Sequence, residues 1–360
     1  MTARTKSPNK SAIVIGVTGQ DGSYLSEYLL DEGYDVVGVK RRTSTDNTCN
    51  LLSVLDNERF HLVEGDIVDY ASVSGIFSHA TSEFGGAPHE VYNLAAQSHV
   101  GTSFQQPLAT WDSTASGVIN ILEVMRQENY IDTTRFYQAS TSEMFGDNYE
   151  ECNGEKIQTE NTRFNPRSPY AVAKVAAHNS VSLYRDAYGL FGCCGILFNH
   201  ESPRRGEHFV TRKVTKYVGR LYQALKRGES IEKLGLGDLD IRRDWGHAVD
   251  YVRAMHMMLQ HDEPDDYIVS TGTSYSIHDL CRVAFSAIGQ DYKDWVYTDP
   301  QFVRPAEVPH LQGVCDKAHN VLGWEPQITF SELIEGMVLN DIVSAGQPWT
   351  LLEEAKRELS

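Results

Sequence analysis

Hydrophobic residues in this chain gather in short unbroken runs, separated by longer stretches in which apolar positions recur with helical spacing. Ala12-Ile13-Val14-Ile15 is apolar at every position, the pattern of a strand covered on both faces. A helix is expected from about Ser23, with Tyr24, Leu25, Tyr28, Leu29 and Leu30 along one side and Gly33 ending it. Further strands are expected over Asp35–Val39, Phe60–Val63, Glu90–Ala95, Arg135–Ala139 and Gly192–Asn199. Helices are expected over about Ser113–Asn129, and through Tyr170 and Lys174 to about Tyr188. Strands alternating with helices imply right-handed βαβ units, so the predicted fold is α/β with a doubly wound parallel sheet.

The pattern changes after Asn199. Glu207–Gly228 leads away from the sheet, and Tyr267–Ser270 is strand-like. A helix capped by Ser276 buries Ile277, Leu280, Val283 and Ala284, and a last helix spans about Phe330–Val343. These segments predict a smaller, mixed α/β C-terminal lobe. The expected division gives 11–199, with a return segment near 238–262, to the sheet domain. It gives 200–237 and 263–345 to the second lobe. A ligand would sit between the two, above the carboxyl ends of the strands.

Composition narrows the function classes. The 360 residues suit one large α/β domain with a second lobe. A net charge of −17 argues against nucleic acid or an anionic membrane as partner, although a local basic cluster can still hold a small anion. Six cysteines form no CxxC pair and 13 histidines no HExxH, so reduced, mostly buried thiols and no metal are expected. Met1–Lys10 is polar and basic, Ala12–Val17 is too short for a signal-peptide core, and no run approaches membrane-spanning length. A cytoplasmic protein is expected.

Two stretches point to a dinucleotide. Gly16, Gly19 and Gly22, with Thr18, Gln20 and Asp21 between them, follow a buried strand and open a helix. Glycines there let the backbone approach a pyrophosphate, and the helix N-terminus supplies donors and positive dipole. The spacing is GxxGxxG, so the downstream residues must carry the rest. After strand two, where an acid would meet the ribose 2′-hydroxyl of NAD, the chain reads Lys40-Arg41-Arg42-Thr43-Ser44. Arg41 and Arg42 would grip a 2′-phosphate, which favours NADP over NAD; a solvated basic loop is the competing reading. Asp66 and Ile67, ending strand three, stand where adenine would lie. Leu94, Ala95, Ala96 and Ser98, ending strand four, would pass under the cofactor.

Two more supply acid and base. Tyr170 and Lys174 are four apart on one helix face. A phenol titrates near ~10, and a neighbouring ammonium and a positive nicotinamide are expected to lower it into use as a base. Ser140-Thr141-Ser142-Glu143 ends strand five. In a strand Thr141 and Glu143 share a face, so a hydroxyl and a carboxylate would both meet a substrate. The competing reading is a strand-end glutamate in solvent.

Glycine turn, Tyr170/Lys174 and a hydroxyl ending strand five together resemble the extended short-chain dehydrogenase/reductase superfamily. More narrowly, the motifs Gly19-Gln20-Asp21-Gly22-Ser23-Tyr24-Leu25, Lys40-Arg41-Arg42, Ser140-Thr141-Ser142-Glu143 and Pro166-Arg167-Ser168-Pro169-Tyr170 resemble the GDP-mannose 4,6-dehydratase family. So do Asn199-His200-Glu201-Ser202-Pro203-Arg204-Arg205-Gly206 and Arg242-Arg243-Asp244-Trp245-Gly246. The motifs span about residues 12 to 326, and the Asn-His-Glu-Ser-Pro run is the most specific.

The resemblance implies a Rossmann-like NADP-binding domain, a nucleotide-sugar-binding lobe and an internal redox reaction. Tyr170 would take the proton of the sugar 4-hydroxyl, with Thr141 on O4, Ser142 nearby and Lys174 on the nicotinamide ribose. Glu143 would remove the C5 proton and help expel the C6 hydroxyl as water, and hydride would return to C6. The product would be GDP-4-dehydro-6-deoxy-mannose. His200 and Arg205 match positions that touch the cofactor. Arg242 and Arg304, with Lys213 nearby, would serve the diphosphate, and Glu307 guanine or ribose hydroxyls. Asn199, Ser98, Val210, Leu236 and Gly237 would complete the GDP-mannose site. A homo-oligomer, dimer or tetramer, is also implied, with the Arg42–Asn50 loop meeting a neighbour's cofactor.

Departures from the family pattern are Ala109, where a tyrosine is expected, and a longer, more acidic loop over Asp147–Asn161. Three rivals stand beside the main reading. A UDP-sugar epimerase does not need Glu143, and dTDP-type dehydratases carry aspartate-glutamate after the threonine and favour NAD. A second activity of the same enzyme, reduction of its 4-keto product to GDP-rhamnose with NADPH, is left open by the sequence. A non-catalytic NADP-sensing regulator fits poorly with a chain that keeps Thr141, Glu143, Tyr170 and Lys174.

Overall fold

The computed structural model describes residues 10–302 and 306–345. The chain opens with β1 (Ser11–Ile15), α1 (Gln20–Asp31), β2 (Asp35–Lys40), β3 (Phe60–Glu64), α2 (Tyr70–Phe84) and β4 (Glu90–Asn93). Two short helices, α3 (Val100–Gln105) and α4 (Pro107–Trp111), lead through a π-helical turn into α5 (Gly117–Gln127) and β5 (Arg135–Thr141). A hairpin of β6 (Glu150–Cys152) and β7 (Glu155–Ile157) precedes α6 (Pro169–Tyr188) and β8 (Gly192–Leu197). Next come β9 (Asn199–Glu201), α7 (Val210–Arg227), β10 (Leu234–Leu236), β11 (Arg242–His247), α8 (Ala248–Gln260) and β12 (Asp266–Val269). The last elements are β13 (Ser274–Ser276), α9 (Ile277–Ser286), β14 (Val296–Thr298), β15 (His310–Leu311) and α10 (Phe330–Ser344).

Seven strands form the main sheet in the order β12-β8-β5-β4-β1-β2-β3, every pair parallel. This is the doubly wound sheet expected from the alternating pattern. The chain leaves β1 in both directions, so a crevice opens above β1 and β4 where the winding reverses. Alternate residues of each strand feed opposite cores. Ala12 and Val14 join Leu25, Leu29, Tyr251 and Met255 under α1 and α8. Ile13 and Ile15 join Val73, Phe77, Ile121 and Leu122 under α2 and α5. Cys193 and Cys194 divide the same way between the two cores. The thiols are all free; Cys193, Cys194 and Cys281 are buried, while Cys49 and Cys152 are exposed.

The second lobe packs α7, α9 and α10 around Trp245, Phe285 and Phe330, with Tyr275 stacked on Phe330 at 3.9 Å between ring centroids. Its sheet places β11 between β13 and β15, and β11 also pairs with β9.

Two boundaries differ from the sequence-based expectation. α1 begins at Gln20, a turn before Ser23, because Gly19 is its extended N-cap and the polar residues that follow are already helical. The segment around Tyr267–Ser270 lies in the main sheet, not in the C-terminal lobe: β12 pairs with β8, and Tyr267, Ile268 and Val269 are buried there. The acidic loop after Asp147 is the β6–β7 hairpin, tied to the far lobe by bonds from His310 Nε2 to Lys156 O (2.7 Å) and from Gln312 N to Gln158 Oε1 (2.8 Å). No helix among the described residues is long and apolar enough to cross a membrane.

Candidate active site

A cavity of about 1200 Å³ lies between the carboxyl ends of the main sheet and the second lobe. Gly16, Thr18, Gly19, Gln20, Asp21 and Gly22 line one end of it. A side chain at Gly22 would put Cβ 2.5 Å from the Gly16 carbonyl oxygen and 2.6 Å from Val17 Cα, so only glycine lets the turn close this tightly. No side chain caps α1 at Gly19, which leaves its first-turn donors and dipole facing the cavity.

Beneath the turn lies a pair formed by the buried His200 and the partly buried Asp21. His200 Nε2 is 2.7 Å from Asp21 Oδ2, and Nδ1 is 2.8 Å from Phe198 O. Burial pulls the imidazole down, but the Asp21 charge and hydrogen bond win and hold it above its ordinary value. Burial likewise pushes Asp21 up, and His200 outweighs it, holding the carboxyl below the usual range. With an acceptor at both ring nitrogens, His200 carries both protons.

At the end of β2, Arg41 and Thr43 line the cavity. Arg42, expected beside Arg41, is exposed and is not part of the wall; in extended chain the intervening residue points the other way. Asn47, which the sequence reading passed over, lines the cavity, and its buried Oδ1 has no hydrogen-bond partner among the described residues. Asp66, Ile67, Leu94, Ala95, Ala96 and Ser98 stand where expected along the wall. Ala109 is exposed and away from it; Phe104, Gln105 and Ser113 face the cavity instead.

The other end holds the acid/base groups. β5 stops at Thr141, and Ser142–Phe145 is a 3-10 turn. Glu143 is therefore not on the strand, and the shared-face expectation for Thr141 and Glu143 does not hold. The turn brings them together by another route: Thr141 caps it, Oγ1 accepting from Glu143 N at 3.3 Å. Gly146 closes the turn at φ 59°, where a Cβ would lie 1.9 Å from Asn165 O. Thr141, Ser142, Glu143, Tyr170 and Lys174 all line the cavity.

Burial pushes the Tyr170 phenol above its ordinary value; the Thr141 hydroxyl offsets part of this and the Glu143 charge adds to it. The expected lowering by Lys174 is not what the fold supplies. Lys174 is itself buried, its pKa pulled down to about 8 by that burial. Its Nζ donates to Ala139 O at 2.6 Å and stands 5.9 Å from the Tyr170 ring centroid.

The second lobe contributes Asn199, Arg205, Val210, Lys213, Leu236, Gly237 and Glu307 to the wall. Here strand parity corrects the sequence reading. Arg242 is exposed outside the cavity, its guanidinium donating to Ser274 O at 2.5 Å. The neighbouring Arg243 is buried and faces inward with Trp245. Its NH2 lies 3.2 Å from Glu307 Oε1 and 4.0 Å from Glu143 Oε1. Alternation along β11 puts Arg243 and Trp245 on one face and Arg242 and Asp244 on the other. Arg304 lies outside the described residues.

Comparison with known proteins fits this geometry. The family model described as GDP-mannose 4,6 dehydratase matches residues 13–337. GDP-mannose 4,6 dehydratase 2 of Arabidopsis thaliana is 45% identical over 360 residues, covering 98% of this chain and 89% of the relative. The GDP-mannose 4,6-dehydratase of Vibrio cholerae is 43% identical, covering 92% and 94%. Among solved structures, the dTDP-glucose 4,6-dehydratase DesIV of Streptomyces venezuelae, with NAD and TYD bound, superposes with a TM-score of 0.78 at 22% identity, over 91% of this chain and 96% of that one. RMD of Pseudomonas aeruginosa, complexed with NADPH, gives 0.73 at 21% over 93% and 99%. These two share the fold. By the family model and the sequence identities, the chain belongs to the GDP-mannose 4,6-dehydratase family.

Proposed function

We propose that this chain converts GDP-mannose to GDP-4-dehydro-6-deoxy-mannose, with NADP as its resident nucleotide. The observation that carries the reading is the meeting of Tyr170, Thr141 and Glu143 in one cavity, with the Arg243 guanidinium on its second-lobe wall. A simple alcohol dehydrogenase needs the first two; the carboxylate is the extra group that an elimination requires.

The cavity suits a dinucleotide at one end. Its volume exceeds the ~300–1,000 Å³ usual for one drug-sized ligand, which leaves room for two nucleotides. The glycine turn and α1 terminus suit the pyrophosphate, Arg41 and Thr43 a 2′-phosphate, and the unpartnered Asn47 Oδ1 a hydrogen-bond donor of the ligand. When bound, NADP supplies a place to hold the hydride from C4 until it is returned at C6. The residues do the rest. Tyr170 accepts the proton of the 4-hydroxyl, and Thr141 orients that oxygen. The ketone at C4 acidifies C5, and Glu143 takes the C5 proton and passes one to the departing C6 hydroxyl, which leaves as water. The O4 proton left at Tyr170 balances the one carried off, and C5 is reprotonated as C6 is reduced. Arg243 and Lys213 offset the diphosphate charge. In this reading the chain from β1 to β8, continued through α8 and β12, binds the dinucleotide, and the remaining C-terminal segments bind the nucleotide sugar.

The test is incubation with GDP-mannose in D₂O without added cofactor, followed by NMR, with mass analysis of nucleotide released on denaturation. A 4-keto-6-deoxy product with deuterium at C5, and NADP released, is expected. No conversion even with NADP⁺ supplied refutes the dehydratase reading, and released NAD refutes the cofactor assignment.

Lys174 carries a stability consequence. Below about 8 the folded and unfolded chains both hold the charge, so the cost of burying it is felt in full; it fades as pH rises from about 8 toward 10.5. Ala139 O also accepts from Gln138 Nε2 at 2.9 Å, so loss of the lysine leaves it bonded. Lys174→Met in the nucleotide-free protein is therefore expected to gain on the order of 2 kcal/mol at pH 7 in urea denaturation, and nothing at high pH, while turnover falls. A variant no more stable than wild type at pH 7 contradicts this.

A further inference from the structure

Tyr170, Lys174 and His178 fall at i, i+4 and i+8 on α6, and all three are buried toward the sheet. Each meets a different residue at the end of β5. Tyr170 stands beside the Thr141 hydroxyl, Lys174 donates to Ala139 O, and His178 Nδ1 lies 3.0 Å from Ser140 Oγ. The first two contacts belong to the site already described. The third joins a helix and a strand at the residue between them: Ser140 lines the cavity, but its hydroxyl is engaged by His178, which does not line it.

The far side of the ring faces a carboxylate at longer range. His178 Nε2 is 3.5 Å from Asp266 Oδ2, and the Phe164 ring meets the imidazole edge-on at 5.2 Å between centroids. Asp266 is fixed in turn by Arg185 NH2 at 2.5 Å and by Cys194 N at 3.1 Å. Because Nε2 faces a carboxylate, it carries the proton, and Nδ1 is left to accept from the Ser140 hydroxyl. Burial pulls His178 below its ordinary pKa against the pull of Asp266, with Arg185 adding to the fall, so the ring is neutral. Ligand atoms of His178, Cys194 and Asp266 do lie within 4.8 Å of one another. The Arg185 guanidinium already supplies positive charge to that carboxylate, and Ser140 occupies Nδ1, so a cation has little to gain there.

We propose that His178 is a positioning residue for the dehydratase reaction. By accepting from Ser140 it fixes the height of the β5 end against α6, and with it the stations of Thr141, Tyr170 and the Glu143 turn. The inference rests on the function proposed above. A misplacement of about 1 Å at the reacting centre costs on the order of 10²-fold in rate, so a single hydrogen bond behind the site has leverage.

The experiment compares wild type with His178→Phe, His178→Asn and Ser140→Ala. It measures kcat and KM for GDP-mannose, the isotope effect with deuterium at the sugar C4, bound nucleotide and Tm. His178→Phe and Ser140→Ala should each lower kcat by about 10- to 100-fold, leave KM within about twofold, and raise the isotope effect, because hydride removal becomes limiting. The double variant should lose no more than either single one. His178→Asn should recover most of the loss, since its side-chain oxygen reaches the place of Nδ1. Ser140→Ala removes one oxygen, so it decides the matter even if His178→Phe folds poorly. Unchanged kcat in Ser140→Ala, or a rise in KM and loss of nucleotide in step with kcat, overturns the inference. Wild type that leaves GDP-mannose untouched refutes the dehydratase reading itself; a converting wild type with unimpaired variants refutes this inference alone.

Discussion

Glu143→Gln is expected to lower turnover of GDP-mannose by about 10²–10⁴-fold, with binding of the nucleotide sugar nearly unchanged. The substitution keeps the side chain's shape and removes only its capacity to take a proton. Its neighbour Arg243 stays paired with Glu307 at 3.2 Å, so the wall of the site should not collapse around the amide. What should vanish is incorporation of deuterium at C5, because the elimination that opens C5 to exchange needs the carboxylate. Removal of hydrogen from C4 depends on Tyr170 and Thr141 and should persist for a single turnover. NMR of the sugar after incubation in D₂O separates the two. A variant that still exchanges C5 at the wild-type rate would remove Glu143 from the mechanism.

Arg243→Ala should weaken GDP-mannose by about 100-fold or more, whereas Arg242→Ala should change it by no more than a few-fold. The contrast follows from burial. Arg243 is 6% exposed inside the cavity, and truncating a buried charge that pairs with an anionic ligand removes about 2–5 kcal/mol. Arg242 is exposed and bonds Ser274 O at 2.5 Å, so its loss is felt, modestly, in the stability of the β11–β13 pairing. Arg243→Lys should also be impaired, since an ammonium cannot present two parallel donors to a diphosphate. Titration calorimetry with GDP decides between the two arginines. Loss of binding in Arg242→Ala alone would restore the assignment made from sequence.

That pair shows where sequence reasoning reached and where it stopped. The motif Arg242-Arg243-Asp244-Trp245 was recognisable, but which arginine faces inward depends on the phase of a short strand. The phase was set by Trp245, whose large apolar ring had to point into the lobe core and so takes Arg243 with it. Parity from Trp245 would have given the answer. Arg41 and Arg42 posed the same question with no such anchor. The turn at Glu143 failed for a different reason: Ser140-Thr141-Ser142 looks like more strand, and only the Gly146 conformation and the Asn165 carbonyl packed against it force the chain to curl. The early sheet was legible because its strands are apolar on both faces. β12 was misplaced because its apolar run carries no mark of which sheet will take it. Asn47 was hidden because a polar loop residue looks the same in sequence whether its amide is solvated or aimed at a ligand.

The position of β12 has a consequence for how the molecule is made. β8 pairs with β5 on one side and with β12 on the other, yet β9, α7, β10, β11 and α8 are synthesised between Leu197 and Asp266. While those residues leave the ribosome, β8 is the bare edge of a growing parallel sheet, with its backbone donors and acceptors unclaimed. Even after β12 docks, the core under α8 still waits for Trp324, whose indole donates to Asp250 O at 2.8 Å. Translation thus passes through an interval, on the order of seconds at ordinary elongation rates, in which the nascent chain is sticky and offers a chaperone an edge to hold.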